Sequence, residues 1–92
     1  MQEILLDIRS FEDKVSLHEY FLKQLGFSFT YGTNLEALFD ELTSVTDARS
    51  ILLRYPAKPK GKMIDYLPRL LAVFKDAMRE NYNLSIRFEE EE

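Results

Sequence analysis

The sequence of 92 residues contains no cysteine, and this absence excludes several kinds of site at once. A chain without cysteine cannot form a disulfide framework, a thiolate metal site or a cysteine nucleophile, and it suits a reducing cytosol. His18 is the only histidine, so we expect no zinc site and no nucleophile paired with a second histidine. The three glycines are scattered, so they do not form a glycine-rich loop of the kind that binds phosphate.

Long apolar runs and a basic N-terminal segment are also missing. The first residues, MQEILLD, hold an apolar run that is too short for a signal peptide or a membrane span. Hydrophobic residues make up 46% of the chain and include seven Phe and five Tyr, which is enough for one core. We therefore expect a single domain, residues 1–92, that is soluble and cytoplasmic and has no membrane contact.

Negative charge is concentrated in the first half of the chain. Residues 1–48 contain nine acidic residues against three basic ones, whereas residues 49–92 contain nine basic and seven acidic ones. Four of those seven form the terminal run 89–92, an acidic tail that we expect to be frayed. An acidic first half disfavours nucleic acid as a partner there and favours a basic protein, although ordinary solubility charge produces the same pattern.

Hydrophobic periodicity predicts strands and helices that alternate along the chain. Apolar runs of strand length occupy residues 3–8, 50–55 and 83–88. A helical period runs from Leu17 to Leu25, where Gly26 would end the helix, and returns from about Met63 to Asn81. Pro68 predicts a short helix before it and a longer one starting near it. Strands joined by helices indicate a small single-sheet α/β fold, with parallel strands largely covered by helices.

The segment YGTNLEALFDELT, residues 31–43, has the pattern of a turn followed by a short amphipathic helix. Thr33 and Glu36 fit a capping box, with Thr33 at the N-cap. At about 100° per residue, Glu36, Asp40 and Thr43 fall within roughly 60° of one another on the solvent side. The cap accounts for Glu36, but Asp40 lies further along the helix, one turn beyond a like charge. Local physics leaves both a solvated face and a partner-binding face open.

The same segment resembles the central motif of barstar-like proteins, the intracellular inhibitors of barnase-type ribonucleases. The similarity extends upstream through SLHEYFLKQL and downstream through LLAVFKDAMRENYNLSIRF, and it is weakest between about residues 45 and 69. The resemblance implies a small three-stranded parallel sheet packed against about four helices. It also implies that this helix and the loop before it enter the basic active site of a ribonuclease.

The resemblance also implies partner contacts at particular positions. Asp40 matches the key acidic residue of the motif, Glu36 stands where the family often has Asp, and Asp76 matches a further acidic contact. Thr30 occupies a position that is often aromatic, and Phe39 replaces a more usual Trp, so the identity of the ribonuclease stays open. The expected partner-binding residues are Asp40, Glu36, Tyr31, Gly32, Asn34, Thr43, Asp76 and Thr30.

We therefore expect a bacterial inhibitor, monomeric when free, that protects its producer from a secreted or toxin-type ribonuclease. The alternative is a barstar-like interaction module that binds a different basic partner or toxin. Neither hypothesis needs a cofactor, a metal or nucleic acid. We expect no catalysis, because Glu36 and Asp40 project from a convex helix face whereas acid–base chemistry needs a desolvated cleft. The lysine-rich loop PAKPKGK, residues 56–62, has no obvious counterpart in the family.

Two further expectations concern aromatic and titratable side chains. His18 lies beside Leu17 in the first helix, so we expect a structural histidine rather than a catalyst. In the aromatic loop, Phe27 or Phe29 should enter the core. Tyr31 should be exposed, since tyrosine suits protein interfaces through its apolar ring and polar hydroxyl group.

Overall fold

The computed structural model describes residues 3–28 and 31–92. Three strands and three helices follow in chain order, and their bounds are β1 Glu3–Asp7, α1 Lys14–Leu25, α2 Leu35–Thr43, β2 Arg49–Pro56, α3 Met63–Glu80 and β3 Leu84–Glu91. The α/β class expected from the sequence is confirmed. Gly26 follows α1 with φ 68°, a left-handed conformation that ends the helix as the sequence predicts.

The three strands form one sheet in the order β1-β2-β3, and both pairings are parallel. Ile4 lies beside Ile51 and Ile51 beside Ile86, so a row of isoleucines crosses the sheet. Each parallel pairing is possible because helices span the distance back to the start of the next strand. The expectation of three parallel strands is therefore confirmed.

Helices cover only one face of this sheet among the described residues, and here the expectation of a largely covered sheet is wrong. Leu6, Ile51 and Leu53 point to the helices and are buried, whereas Leu5 on the opposite face is 43% exposed. On that opposite face Arg87 donates to Glu3 across the full width of the sheet, over the central strand β2. Ion pairs rather than a second helical layer therefore cover the outer face.

The acidic tail is not frayed over residues 89–91, which is a second correction. Strand β3 runs to Glu91, and Glu89 to Glu91 lie beside Arg54 to Pro56 of β2. Arg54 Nε donates to Glu89 Oε1, and this bond lowers the pKa of the Glu89 carboxyl. Backbone pairing and Arg54 thus order glutamates that look like a solvated run in the sequence.

One helix, α3, replaces the two that Pro68 suggests, so the described residues contain three helices rather than about four. Pro68 lacks the N–H that would bond to the carbonyl of Ile64, at a cost of about 3 kcal/mol. Tyr66, Leu67 and Leu70 flank it and are buried in the core. Burial of such side chains contributes roughly 1.5–3 kcal/mol each, so packing outweighs the lost hydrogen bond.

The core lies between the covered face of the sheet and the helices. Phe21 of α1 and Phe74 of α3 meet at its centre in a T-shaped pair with ring centroids 5.6 Å apart. Helix α2 packs against α3 and presents Leu38 and Leu42 to this core. Packing of α2 on α3 sets the relative position of the two helix surfaces that carry the expected acidic contacts.

Candidate functional site

Helix α2 begins differently from the expected capping box. The N-cap is Asn34 rather than Thr33, and Asn34 Oδ1 accepts a hydrogen bond of 2.8 Å from the backbone N–H of Ala37. A Cβ atom at Gly32 would lie 3.2 Å from Asn34 Nδ2, so glycine leaves room for this cap. Gly32 and Asn34, both expected in partner binding, therefore shape the start of α2.

Moving the cap to Asn34 changes the interpretation of Glu36. Glu36 lies in the first turn of α2, near the positive end of the helix dipole, but it has no role in a capping box. Among the described residues its carboxylate has no hydrogen bond or ion pair. The capping box expected from the sequence therefore does not account for Glu36, although the helix dipole still favours an acidic residue at this position.

Glu36 and Asp40 meet Asp76 across an open groove between α2 and α3. The groove has a volume of about 420 Å³ and is lined by Leu35, Glu36, Phe39, Asp40, Val73 and Asp76. We call it the acidic groove. It unites three of the expected site residues, of which Asp76 comes from a helix that starts 20 residues after α2 ends.

Charges in the acidic groove are largely uncompensated. Glu36 and Asp40 are exposed, and among residues 3–28 and 31–92 no lysine or arginine forms an ion pair with either. Asp76 pairs with Arg79 one turn further along α3, at 3.2 Å, in an exposed ion pair that contributes little. Leu35, Phe39 and Val73 place apolar surface between these carboxylates. The groove can therefore bind cationic side chains while it buries apolar surface.

The end of α2 is held by hydrogen bonds to its backbone. Thr43 Oγ1 donates to the carbonyl of Phe39 at 2.8 Å, so this expected contact residue is engaged within the helix. Asn81, which directly follows α3, is buried and donates through Nδ2 to the carbonyls of Leu42 and Val45, at 3.0 and 2.9 Å. No motif or periodicity in the sequence points to Asn81, yet this residue ties the ends of α2 and α3 together.

Tyr31 is half-buried, so the expectation that it is exposed is wrong. Its hydroxyl group is hydrogen-bonded to His18 Nδ1, and His18 Nε2 is hydrogen-bonded to Tyr66 Oη at 2.6 Å. His18 is fully buried, and burial together with the nearby Lys14 lowers its pKa from 6.5 to about 4. Burial also raises the pKa of Tyr31. The neutral imidazole thus links α1, α3 and the loop before α2.

The aromatic loop before α2 contains the remaining residues for which the sequence made a prediction. Phe27 is half-buried and packs on Tyr31 with ring centroids 5.0 Å apart, so it lines the core rather than filling it. Phe29 and Thr30 lie outside the described residues. Tyr66 was missed in the sequence, although a buried tyrosine needs a hydrogen-bond partner and a lone buried histidine can supply one.

The described residues offer neither a metal-binding cluster nor a membrane-spanning helix. No group of three or more His, Cys, Asp or Glu in this part of the chain could hold a metal ion, so Glu36, Asp40 and Asp76 do not form one. No helix in the same residues is both long and apolar enough to cross a membrane.

Comparison with known proteins gives one family match. A family model described as Barstar (barnase inhibitor) matches residues 1–90, and the matched region includes every residue that lines the acidic groove. The resemblance seen in the sequence is thereby confirmed over nearly the whole chain. A search of curated proteins finds no match to this chain.

Proposed function

This chain belongs to the barstar family, and from that membership we propose that it inhibits a barnase-type ribonuclease by placing the acidic groove in the enzyme's basic active site. The observation that carries the proposal is the pair of exposed carboxylates of Glu36 and Asp40, which form no ion pair among the described residues and share the acidic groove with Asp76. The protein would act without catalysis in the bacterial cytoplasm, as a monomer that protects the cell from a secreted or toxin-type ribonuclease.

Charge complementarity supplies the physical basis of inhibition. A ribonuclease must bind the phosphates of its substrate, and Arg, Lys and His side chains provide those contacts. Carboxylates can occupy the same donors, so an inhibitor that presents two or three of them excludes the substrate. Glu36 and Asp40 are four residues apart on α2, which separates them by about 6 Å along the helix axis. Two neighbouring cationic groups of a cleft could each receive one carboxylate.

Rigidity and apolar contact favour the groove over a flexible acidic segment. Asn34 fixes the start of α2 and Asn81 fixes its end, so little backbone freedom is lost when the groove meets a partner. Leu35, Phe39 and Val73 add apolar surface between the charges. An interface with a partly apolar centre and charged groups around it matches the usual composition of protein complexes.

We expect Asp40 to contribute most to binding, because it lines the acidic groove and matches the key acidic residue of the barstar motif. The test is to titrate wild-type protein and Asp40→Asn into assays of several barnase-type ribonucleases. Loss of one partner from a desolvated charge pair costs about 2 kcal/mol or more, so Asp40→Asn should raise the inhibition constant at least about thirtyfold.

Glu19→Gln is the matched control, because Glu19 is an exposed acid on α1 that does not line the acidic groove. This control should inhibit like the wild type. Association with the wild type should slow as salt rises, since screening weakens electrostatic steering. If wild-type protein inhibits none of the ribonucleases, or if Asp40→Asn inhibits as well as wild type, the proposal is wrong. If the wild-type protein inhibits none of the ribonucleases tested, the alternative of a different basic partner is favoured.

A further inference from the structure

A second shallow pocket adjoins the acidic groove and carries the opposite charge. It shares Leu35 and Glu36 with the groove, and its other lining residues are Lys14, Thr33, Asn34, Tyr66 and Arg69. We call Lys14 and Arg69 the basic pair. Glu36 stands between the two pockets, so acidic and basic side chains lie next to each other on one continuous surface.

The basic pair is held on a fixed aromatic platform. Lys14 Nζ lies 5.5 Å and Arg69 Cζ 5.8 Å from the centroid of the Tyr66 ring. These cation–π contacts place both cations beside one ring. The ring itself is anchored, because Tyr66 is buried and its hydroxyl group is hydrogen-bonded to His18. Two positive groups are thus gathered at a defined place.

Neither cation is neutralised within the described part of the chain. No Asp or Glu there forms an ion pair with Lys14 or Arg69. Every other arginine of the described residues is paired with a carboxylate; these are Arg9, Arg49, Arg54, Arg79 and Arg87. Among the described residues, Arg69 is therefore the arginine that remains available for a carboxylate from outside.

A partner of ordinary size that covers the acidic groove can also cover this pair. Arg69, Val73 and Asp76 are spaced i, i+4 and i+7 on α3, so they share one face of the helix. The basic end of that face lies about 10 Å from the acidic end. A standard interface buries about 800 Å² on each partner, a patch roughly 30 Å across. Both ends fit within it.

If the partner's surface were uniformly basic, binding would bury Lys14 and Arg69 next to charges of the same sign, which is unfavourable. We propose that the basic pair receives a carboxylate on the rim of the partner's cleft, so that the target is a ribonuclease with an acidic side chain beside its phosphate-binding residues. This inference rests on the proposed function. It narrows the class of target to enzymes whose cleft is basic with an acidic neighbour, rather than basic throughout.

Substitution of the basic pair should change the affinity in opposite directions for a cleft with an acidic neighbour and for a uniformly basic cleft. The double variant Lys14→Gln/Arg69→Gln removes both charges, and Lys58→Gln/Lys60→Gln removes two charges from a pocket that shares no residue with the groove. Rim ion pairs contribute up to about a fivefold change in affinity each, so the first variant should weaken binding about threefold to twentyfold. The second variant should bind like the wild type.

Affinities are measured against a ribonuclease that the wild type inhibits, with melting curves to show that each variant is folded. Lys14→Glu/Arg69→Glu should weaken binding further, whereas it would strengthen binding to a uniformly basic rim. If Lys14→Gln/Arg69→Gln and Lys14→Glu/Arg69→Glu both bind the ribonuclease as tightly as the wild type or more tightly, the inference about the basic pair is wrong. The proposed function would still stand in that case, provided that inhibition depends on Asp40. Absence of any wild-type inhibition would overturn both proposals together.

Discussion

Stability should fall on mild acidification because His18 is buried as a neutral ring. Its imidazole lies between the hydroxyl groups of Tyr31 and Tyr66, packs edge-on against Phe21 and has Lys14 nearby. A neutral imidazole accepts a hydrogen bond at one nitrogen and donates at the other. Protonation would bury a charge beside Lys14 and would deprive one tyrosine of the acceptor for its hydroxyl hydrogen. Folding therefore disfavours the protonated form.

The size of the effect follows from the pKa of His18, which is about 4 in the folded protein against 6.5 for an unperturbed histidine. The unfolded chain binds the proton more readily, so this contribution to stability is complete above pH 6.5 and is lost as the pH falls towards 4. The free energy of unfolding should decrease by about 2 kcal/mol between pH 7.5 and pH 5, and by about 3 kcal/mol once both states are protonated.

Urea unfolding followed by circular dichroism at pH 7.5, 6.5, 5.5 and 5 measures this loss. The range ends at pH 5 because Glu3 and Asp7 are ion-paired with lowered pKa values, and their own loss of stability comes at still lower pH. His18→Gln is the control, since it should unfold with nearly the same free energy across the range. His18 is the only histidine, so its ring protons also give an unambiguous NMR titration. A midpoint near 6.5 in the folded protein would refute the reasoning.

Two further substitutions test the supports of α2. Asn34→Ala removes the N-cap and should lower the free energy of unfolding, measured with urea, by about 1 kcal/mol. Asn34→Asp keeps a capping oxygen and should retain most of that stabilisation. Asn81→Ala leaves the carbonyl of Leu42 without its side-chain donor and should cost about 1–3 kcal/mol in the same assay. Tyr82→Ala, at a fully exposed neighbouring position, should cost almost nothing, and equal losses at positions 81 and 82 would contradict this role.

Local patterns predict the elements of this fold well, because each strand and helix depends on side chains that are close in the sequence. The period around Leu17 to Leu25 and the glycine after it suffice to place α1 and its end. The same local rules mislead at Pro68 and in the run 89–92. In both places contacts with distant residues outweigh the local preference: core packing continues α3, and Arg54 with β2 orders the glutamates.

The N-cap shows how two local rules can compete within three residues. Thr33 and Glu36 match a capping box, and Asn34 is an equally good N-cap with its own acceptor for the N–H of Ala37. In the structure Asn34 forms the cap, and Gly32 leaves space beside Asn34 Nδ2 that a Cβ atom would narrow to 3.2 Å. Periodicity alone carries no information about that space. The shift by one residue matters, because the helix dipole rather than a capping box then accounts for an acidic residue at position 36.

The candidate site is predictable only as far as it lies on one element. Spacing within α2 places Glu36 and Asp40 on one face, and family resemblance is needed to add Asp76 from α3. Lys14 and Arg69 are 55 residues apart in the sequence and meet over the ring of Tyr66, so sequence patterns do not predict the basic pair. That ring is fixed by a histidine from α1. His18 is also hydrogen-bonded to Tyr31, so Tyr31, His18 and Tyr66 form one hydrogen-bonded unit. This unit anchors both the basic pair and the loop before α2. Substitutions at His18 should therefore disturb both ends of the proposed interface together.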